Sequence, residues 1–293
     1  MTALAALYLP QTRMDFATIE ERARTAEEAG YHSIWFMDHM APPAGKGLDC
    51  LEAFTVATAV AMRTTRLRVG HLVLCNEFRH PVLLAKMAVS LDVVSGGRLE
   101  LGLGWGSVDE EMRDFGFGDF TKAQRSARLA ETLEILDLLF TGDPVDFEGG
   151  YWTLCDAVCR PTPVHGHIPV HLGGMGERLT LPLVARYADW WNCPSYGNGQ
   201  FHALREKAGS ARISVQHPIG LARTAAERDE VVDLAQRRFG AWGGLVAGTV
   251  DEVITALRAE RDAGAELFIC QFHDFGTPES IRLFADEVLP ALH

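Results

Sequence analysis

No run in the chain approaches the ~18 consecutive apolar residues a bilayer span needs, so no membrane segment is expected. Positive charge is also scarce. With 39 acidic against 27 basic residues and a formal net charge of -12, nucleic acids and anionic membrane surfaces are poor partners. An anionic cofactor is still compatible, because a few local backbone donors can hold one. The six cysteines, at 50, 75, 155, 159, 193 and 270, form no CxxC pair, and read as reduced, buried thiols. Cys155 and Cys159 precede His165 and His167, but the spacing fits no standard zinc pattern and Pro161 and Pro163 interrupt it; no metal is expected. GxSxG, P-loop and HExxH motifs are missing, which leaves nucleophilic hydrolysis without support. There is no short repeat and no low-complexity segment. The N-terminus lacks a basic n-region and a long enough apolar run for a signal peptide, so it reads as a first strand of a cytoplasmic protein.

What is present is centred on Leu67–Gly106. Two apolar runs, Leu67–Leu74 and Leu99–Leu103, bracket an amphipathic stretch, Pro81–Val94. Short Val- and Leu-rich runs suit strands buried on both faces. Pro81 fits a first helical position; Leu83, Leu84, Met87, Leu91 and Val94 follow at helical spacing, and Ser95-Gly96-Gly97 ends the helix. The stretch is therefore a βαβ unit with a right-handed crossover. After its second strand, Gly102, Gly104 and Gly106 alternate around Leu103 and Trp105. Such a strand end allows something to approach the backbone closely.

The same alternation runs through all 293 residues. The pattern predicts strands at Leu4–Leu9, Ser33–Met37, Leu67–Leu74, Leu99–Leu103, Pro169–Leu172, Asp189–Cys193, Ile213–Leu221 and Leu267–Gln271. It predicts helices near Phe16–Ala29, Leu51–Arg63, Pro81–Val94, Ala123–Phe140, Leu179–Tyr187, Gln200–Ala208, Ala225–Phe239, Val250–Ala263 and Ser280–Leu292. An acidic connection covers Ser107–Thr121, and the excursion Thr141–Pro169 carries a small hairpin at Val145–Trp152 around Gly149-Gly150. No linker divides the chain. This order predicts one domain over residues 1–293, a single (β/α)8 TIM barrel with an insertion before strand five. Its active site then lies at the C-terminal strand ends. Those ends carry Asp38-His39, Cys75-Asn76, Trp105–Ser107, Gly173–Gly176, Asn192-Cys193 and Gln271–His273.

His39 follows its strand directly, and the adjacent Asp38 is a carboxylate able to orient an imidazole. Gly173, Gly174, Met175 and Gly176 lead from a strand toward a helix, where backbone N–H groups bind phosphate. Trp105 can stack on an aromatic ligand or plug the barrel mouth. Glu110 and Glu111 lie on the acidic connection, where a general acid is weakly signalled and a solvated face is the plain alternative. Trp190 and Trp191 are expected to point to opposite faces of their strand.

Ala26–His39, Leu67–Gly106, the helix RLAETLEILDLLFTG and the segment IPVHLGGMGERLTLPLVARYADWWN together resemble the luciferase-like monooxygenase superfamily over nearly the whole chain. The segment FRHPVLLAKMAVSLDVVSGGR is similar to actinobacterial deazaflavin-dependent members. The resemblance implies a (β/α)8 barrel with an insertion before strand five. It implies a flavin at the mouth, either coenzyme F420 or, alternatively, FMN, with a small-molecule substrate. The family's non-proline cis peptide, which backs the flavin ring, falls at Leu72–Val73, beside Cys75. The family's histidine falls on His39 as catalytic group, its preceding acid on Asp38, and its phosphate-binding glycines on Gly173 and Gly174. A glutamate and a tryptophan used by the family's sugar-phosphate dehydrogenases fall on Ser107 and Pro43, which puts that substrate class in doubt. Arg178, beside the glycines, is placed to meet the acidic F420 tail. Three functions are implied: F420-dependent hydride transfer, an FMNH2/O2 monooxygenase served by a flavin reductase, or a non-catalytic flavin-binding barrel. A homodimer is expected through the apolar Leu51, Phe54, Val56, Ala57 and Val60.

Overall fold

The structure, a computed structural model, describes residues 3–43 and 45–293. β1 (Leu4–Tyr8) pairs in parallel with β2 (Ser33–Phe36), and β2 with β3 (Arg68–His71). The third barrel strand breaks at Leu72–Val73 and resumes as β4 (Leu74–Cys75); both parts lie along β5 (Leu99–Gly104). The hairpin of β6 (Val145–Glu148) and β7 (Thr153–Ala157) pairs, among the described residues, only with itself. β8 (Val170–Gly173), β9 (Trp190–Cys193) and β10 (Arg212–Ala222) follow in parallel, and β11 (Val246–Thr249) extends the end of β10. β12 (Leu267–Phe272) pairs with both β10 and β1, which closes eight parallel strands on themselves. The barrel with an insertion before its fifth strand is thus the architecture observed.

Helices cover the outside: α1 (Phe16–Glu28), α2 (Ala53–Ala61), α3 (Pro81–Ser95), α4 (Asp109–Asp114), α5 (Lys122–Phe140), α6 (Leu181–Tyr187), α7 (Phe201–Leu204), α8 (Arg228–Phe239), α9 (Val250–Asp262) and α10 (Pro278–Leu283). Their ends follow local chemistry. Asp15 caps α1 through the Thr18 amide, and Thr121 with Gln124 forms a reciprocal capping box on α5. Gly96, with φ +70°, ends α3 in the left-handed conformation.

Strand alternation divides the buried side chains into two sets. Ala6, Tyr8, Trp35, Met37, Leu72, Trp190, Leu267 and Ile269 pack inside the barrel. The larger set, with Trp191, lies between strands and helices, so Trp190 and Trp191 do face opposite ways. At the base of the barrel, Glu100 meets His171 at 2.7 Å, His32 at 3.6 Å and Arg68. Burial opposes its charge, yet these partners hold its pKa far below the usual carboxylate range. This buried cluster is structural and lies at the end opposite the strand termini.

Several predicted elements are corrected. The strand predicted at Leu67–Leu74 is two short pieces around the bulge. The acidic connection contains α4, whose DEEMRD sequence shows no apolar stripe. The hairpin's second strand is Thr153–Ala157, beyond Trp152. β11 was not expected, being four residues long. Among the described residues no helix is long and apolar enough to cross a membrane. No three His, Cys, Asp or Glu side chains are grouped for a metal ion among them.

Candidate functional site

Where β5 ends, its glycines make room for the chain's own backbone. A Cβ on Gly102 would overlap the His71 carbonyl oxygen, and one on Gly104 would sit 2.8 Å from Val73 Cγ2. Gly173, on the neighbouring strand, would bring a Cβ to 3.3 Å from Val73 Cγ1. Three glycines therefore cradle the bulge, and the Leu72–Val73 peptide is cis, as the resemblance implies. The close approach read from Gly102 and Gly104 is real, and the approaching group is the bulge.

The bulge forms one wall of a cavity of about 290 Å³ at the C-terminal strand ends. His39, Leu72, Val73, Cys75, Trp105 and the run Gly173–Gly176 all line it, as does Asp38. Burial pushes the Cys75 thiol up to about 12, so it lines the cavity as a neutral thiol. Trp105 is held from two sides. Its indole N–H donates to Thr180 Oγ1 at 3.2 Å, and the Arg125 guanidinium lies 5.4 Å from its ring centroid. Arg125 in turn donates to Asp109 at 2.5 Å, which ties α4 to the cavity.

The glycine run differs from a helix N-terminus. α6 starts only at Leu181, and the Gly176 carbonyl already accepts from the Thr180 and Leu181 amides at 2.8 and 2.9 Å. The loop is pinned instead by Trp191, whose indole N–H donates to the Gly174 carbonyl at 2.7 Å, and by the Gly174 amide on the Asn192 carbonyl at 3.1 Å. Gly174 has φ +125°, a conformation that L side chains rarely adopt. The amides of Met175 and Gly176 have no protein partner among the described residues. Loop N–H groups rather than a helix end are what the segment offers an anion. Arg178 is exposed and does not line the cavity.

The acid–base reading changes partner. Asp38 does not orient His39. Its carboxylate takes both arms of Arg79, at 2.7 and 2.9 Å, and the Cys75 amide at 2.8 Å. This bidentate pair fixes the strand just after the bulge. His39 is oriented instead by Glu111 of α4: Nδ1 to Oε2 is 2.8 Å. The other Glu111 oxygen accepts from the Met40 amide at 2.5 Å and the Ala41 amide at 3.4 Å. Burial disfavours the Glu111 charge, but the hydrogen bonds from His39, Met40 and Ala41 outweigh it and hold its pKa below the ordinary value. An ionised carboxylate only accepts, so neutral His39 carries its proton on Nδ1 and presents Nε2 as an acceptor. The position matched to the family's glutamate is Ser107, and the carboxylate that reaches His39 lies four positions later. Sequence reasoning left Glu111 as a weak candidate, and missed Arg79 and Thr180. Their partners lie 72, 41 and 75 residues away, beyond any local period.

His39 also lines a second cavity, of about 480 Å³, that shares Ser107 and Val108 with the first. One imidazole therefore stands between two compartments.

The model of the luciferase-like monooxygenase family matches residues 2–200. The chain is 28% identical over 318 residues to an F420-dependent glucose-6-phosphate dehydrogenase of Amycolatopsis mediterranei, covering 93% of each protein. It is 30% identical to the enzyme of the same description from Nocardia farcinica, covering 90% of this chain and 79% of that one. An F420-dependent secondary alcohol dehydrogenase, solved with an F420-acetone adduct, superposes with a TM-score of 0.84 over the full length of both chains; at 18% identity that likeness carries the fold. The barrel, its cradled bulge and the matched residues place this chain in the luciferase-like monooxygenase family.

Proposed function

We propose that this protein is an oxidoreductase that holds coenzyme F420 in the 290 Å³ cavity and passes a hydride to or from a small organic molecule in the adjoining one. The observation that carries this reading is His39, anchored by Glu111 and shared by both cavities. The site suits the cofactor. The bulge and Trp105 offer apolar surface to a flat ring, and the Met175 and Gly176 amides with Thr180 offer donors for its phosphate. A tail leaving past the glycines would run toward Arg178. When bound, the deazaflavin supplies the hydride chemistry. The protein supplies orientation and the proton. Nε2 of His39 takes the proton of a substrate hydroxyl as its carbon loses hydride, and returns it in the reverse direction. Glu111 keeps the ring in the tautomer that can do so and stabilises the imidazolium. The F420 dependence named for both glucose-6-phosphate dehydrogenase relatives supports this over an FMNH2/O2 monooxygenase with a separate reductase.

Glu111→Gln tests the dyad. Its lowered pKa means the carboxylate's contribution is fully present above the ordinary carboxylate range and is lost only as pH falls through the lowered value. At neutral pH the anchor is therefore intact in the native protein. Glu111→Gln should lower kcat about tenfold or more at neutral pH while leaving F420 affinity unchanged, since the anchor of His39 Nδ1 is lost and the cofactor cavity is not. An unchanged kcat would leave Glu111 without a role in proton transfer.

Gly174→Val tests the anion loop. The variant should weaken F420 binding about tenfold, because a branched side chain at φ +125° must displace the loop amides. Unchanged affinity by fluorescence titration would remove Gly173–Gly176 from the site.

The reading includes a cytoplasmic homodimer. The face expected from the sequence is not free, because Phe54, Val56, Ala57 and Val60 are buried in the core of this chain; exposed Met62 instead lines an apolar groove between α2 and α3, with Met87, Leu91 and Val94. Light scattering should give twice the monomer mass across micromolar concentrations; a monomer mass would exclude this interface.

A further inference from the structure

The second cavity has a floor that the fold itself does not explain. Gln271, near the end of β12, is 1% exposed, and neither its amide nitrogen nor its amide oxygen has a hydrogen-bond partner among the described residues. Thr12 Oγ1, in the same cavity wall, is also buried and unpartnered. Buried polar groups are nearly always paired, so two orphans facing one 480 Å³ space mark a place for a ligand's polar atom. A donor and an acceptor side by side on Gln271 suit an oxygen that is a hydroxyl in one redox state and a carbonyl in the other. Tyr8 stands beside them; burial pushes its pKa up, so it remains a phenol.

The walls above this floor are apolar. Met37, Leu48, Val108, Phe239, Trp242 and Phe275 supply them. The cations are at the outer edge. Arg238 is exposed, donates to the His273 carbonyl at 2.5 Å and lies over the Phe275 ring. Arg13, also exposed, lines the same cavity. A sugar phosphate needs a partner for each hydroxyl, and above the floor of Gln271, Thr12 and Tyr8 these walls carry only Ser107 and the shared His39 besides the apolar side chains.

We infer that this cavity takes an uncharged, largely apolar alcohol or ketone, with its single oxygen between Gln271 and His39 and its apolar body against Phe239 and Trp242. This rests on the oxidoreductase reading above, and it departs from the sugar-phosphate chemistry in the relatives' names. Gln271 then recognises the substrate, and its unpaired amide persists for that purpose.

The test uses cofactor-free protein and calorimetric titration with 1-phenylethanol, acetophenone and glucose 6-phosphate, with F420 binding measured separately. Both aryl compounds should bind, and glucose 6-phosphate about tenfold more weakly or not at all. Gln271→Leu keeps the side chain's size and removes its polar atoms. It should weaken the aryl ligands about tenfold, leave F420 affinity unchanged, and hold or raise Tm, because an unpaired buried amide is removed. Trp242→Ala, at an exposed rim position, should weaken the same ligands with Tm unchanged. Tighter binding of glucose 6-phosphate, no binding of either aryl compound, or a Gln271→Leu variant with lower Tm and native affinity would each overturn the assignment. Aryl binding without F420 binding would overturn the cofactor reading and leave this cavity's specificity standing.

Discussion

Replacing His39 by alanine is expected to lower kcat by about 10²–10⁴-fold, the range a positioned general acid–base contributes. The imidazole is placed by two elements that meet only in the fold. The end of β2 delivers His39 to the mouth, and α4 brings Glu111 to 2.8 Å from Nδ1. Removing the ring takes away the proton acceptor at the junction of the two cavities, and leaves the bulge and the glycine loop untouched. The loss should therefore fall on kcat, with F420 affinity nearly native. A variant that keeps native kcat would show that substrate protonation runs through some other group. A variant that loses cofactor binding in proportion to rate would make His39 a binding residue.

Gly102→Ala should give the largest loss of stability of any single methyl addition considered. The added Cβ would meet the His71 carbonyl oxygen, a backbone atom in the adjacent strand that cannot swing aside. The strands must part or the bulge must move, at a cost of about 3 kcal/mol, the upper end for overpacking. For a chain of this size that lowers Tm by roughly 6 °C. Because the same displacement carries Val73, which packs against Gly104 and Gly173, F420 affinity should fall together with stability. Gly199→Ala is the control. A Cβ there has nothing within 4 Å, and the change should stay within about 0.5 kcal/mol. Equal Tm values for the two variants would show that β5 tolerates a side chain at Gly102 and that the cradle is not a packing requirement.

The barrel was legible because its signals are local. Apolar runs, Pro81 at a helix start and Gly96 at a helix end each act within a few residues, and eight repeats of that order leave one architecture. The strand ends were legible for the same reason, and they put His39, Trp105 and Gly173–Gly176 around one cavity. Partnerships were not. Asp38 is adjacent to His39 in sequence, yet successive strand-end residues point different ways, and its carboxylate is taken by Arg79. Glu111 sits on a six-residue helix with no apolar stripe, so neither its helix nor its partner left a pattern to read. The alternation of Gly102 and Gly104 signalled close approach correctly but could not name the approaching group. That required the register of β3 and β4 along β5.

The central claim is that the mouth of this barrel holds a deazaflavin for hydride transfer, and a side-by-side titration tests it most directly. Purified protein is titrated with oxidised F420 and with oxidised FMN, following the fluorescence of each, and turnover is followed with and without O2. The account predicts micromolar F420 binding, tighter than FMN, weakened in Arg178→Ala, and turnover that consumes no O2. Tight FMN binding with O2-consuming turnover and no F420 binding would contradict it and make the protein a flavin monooxygenase.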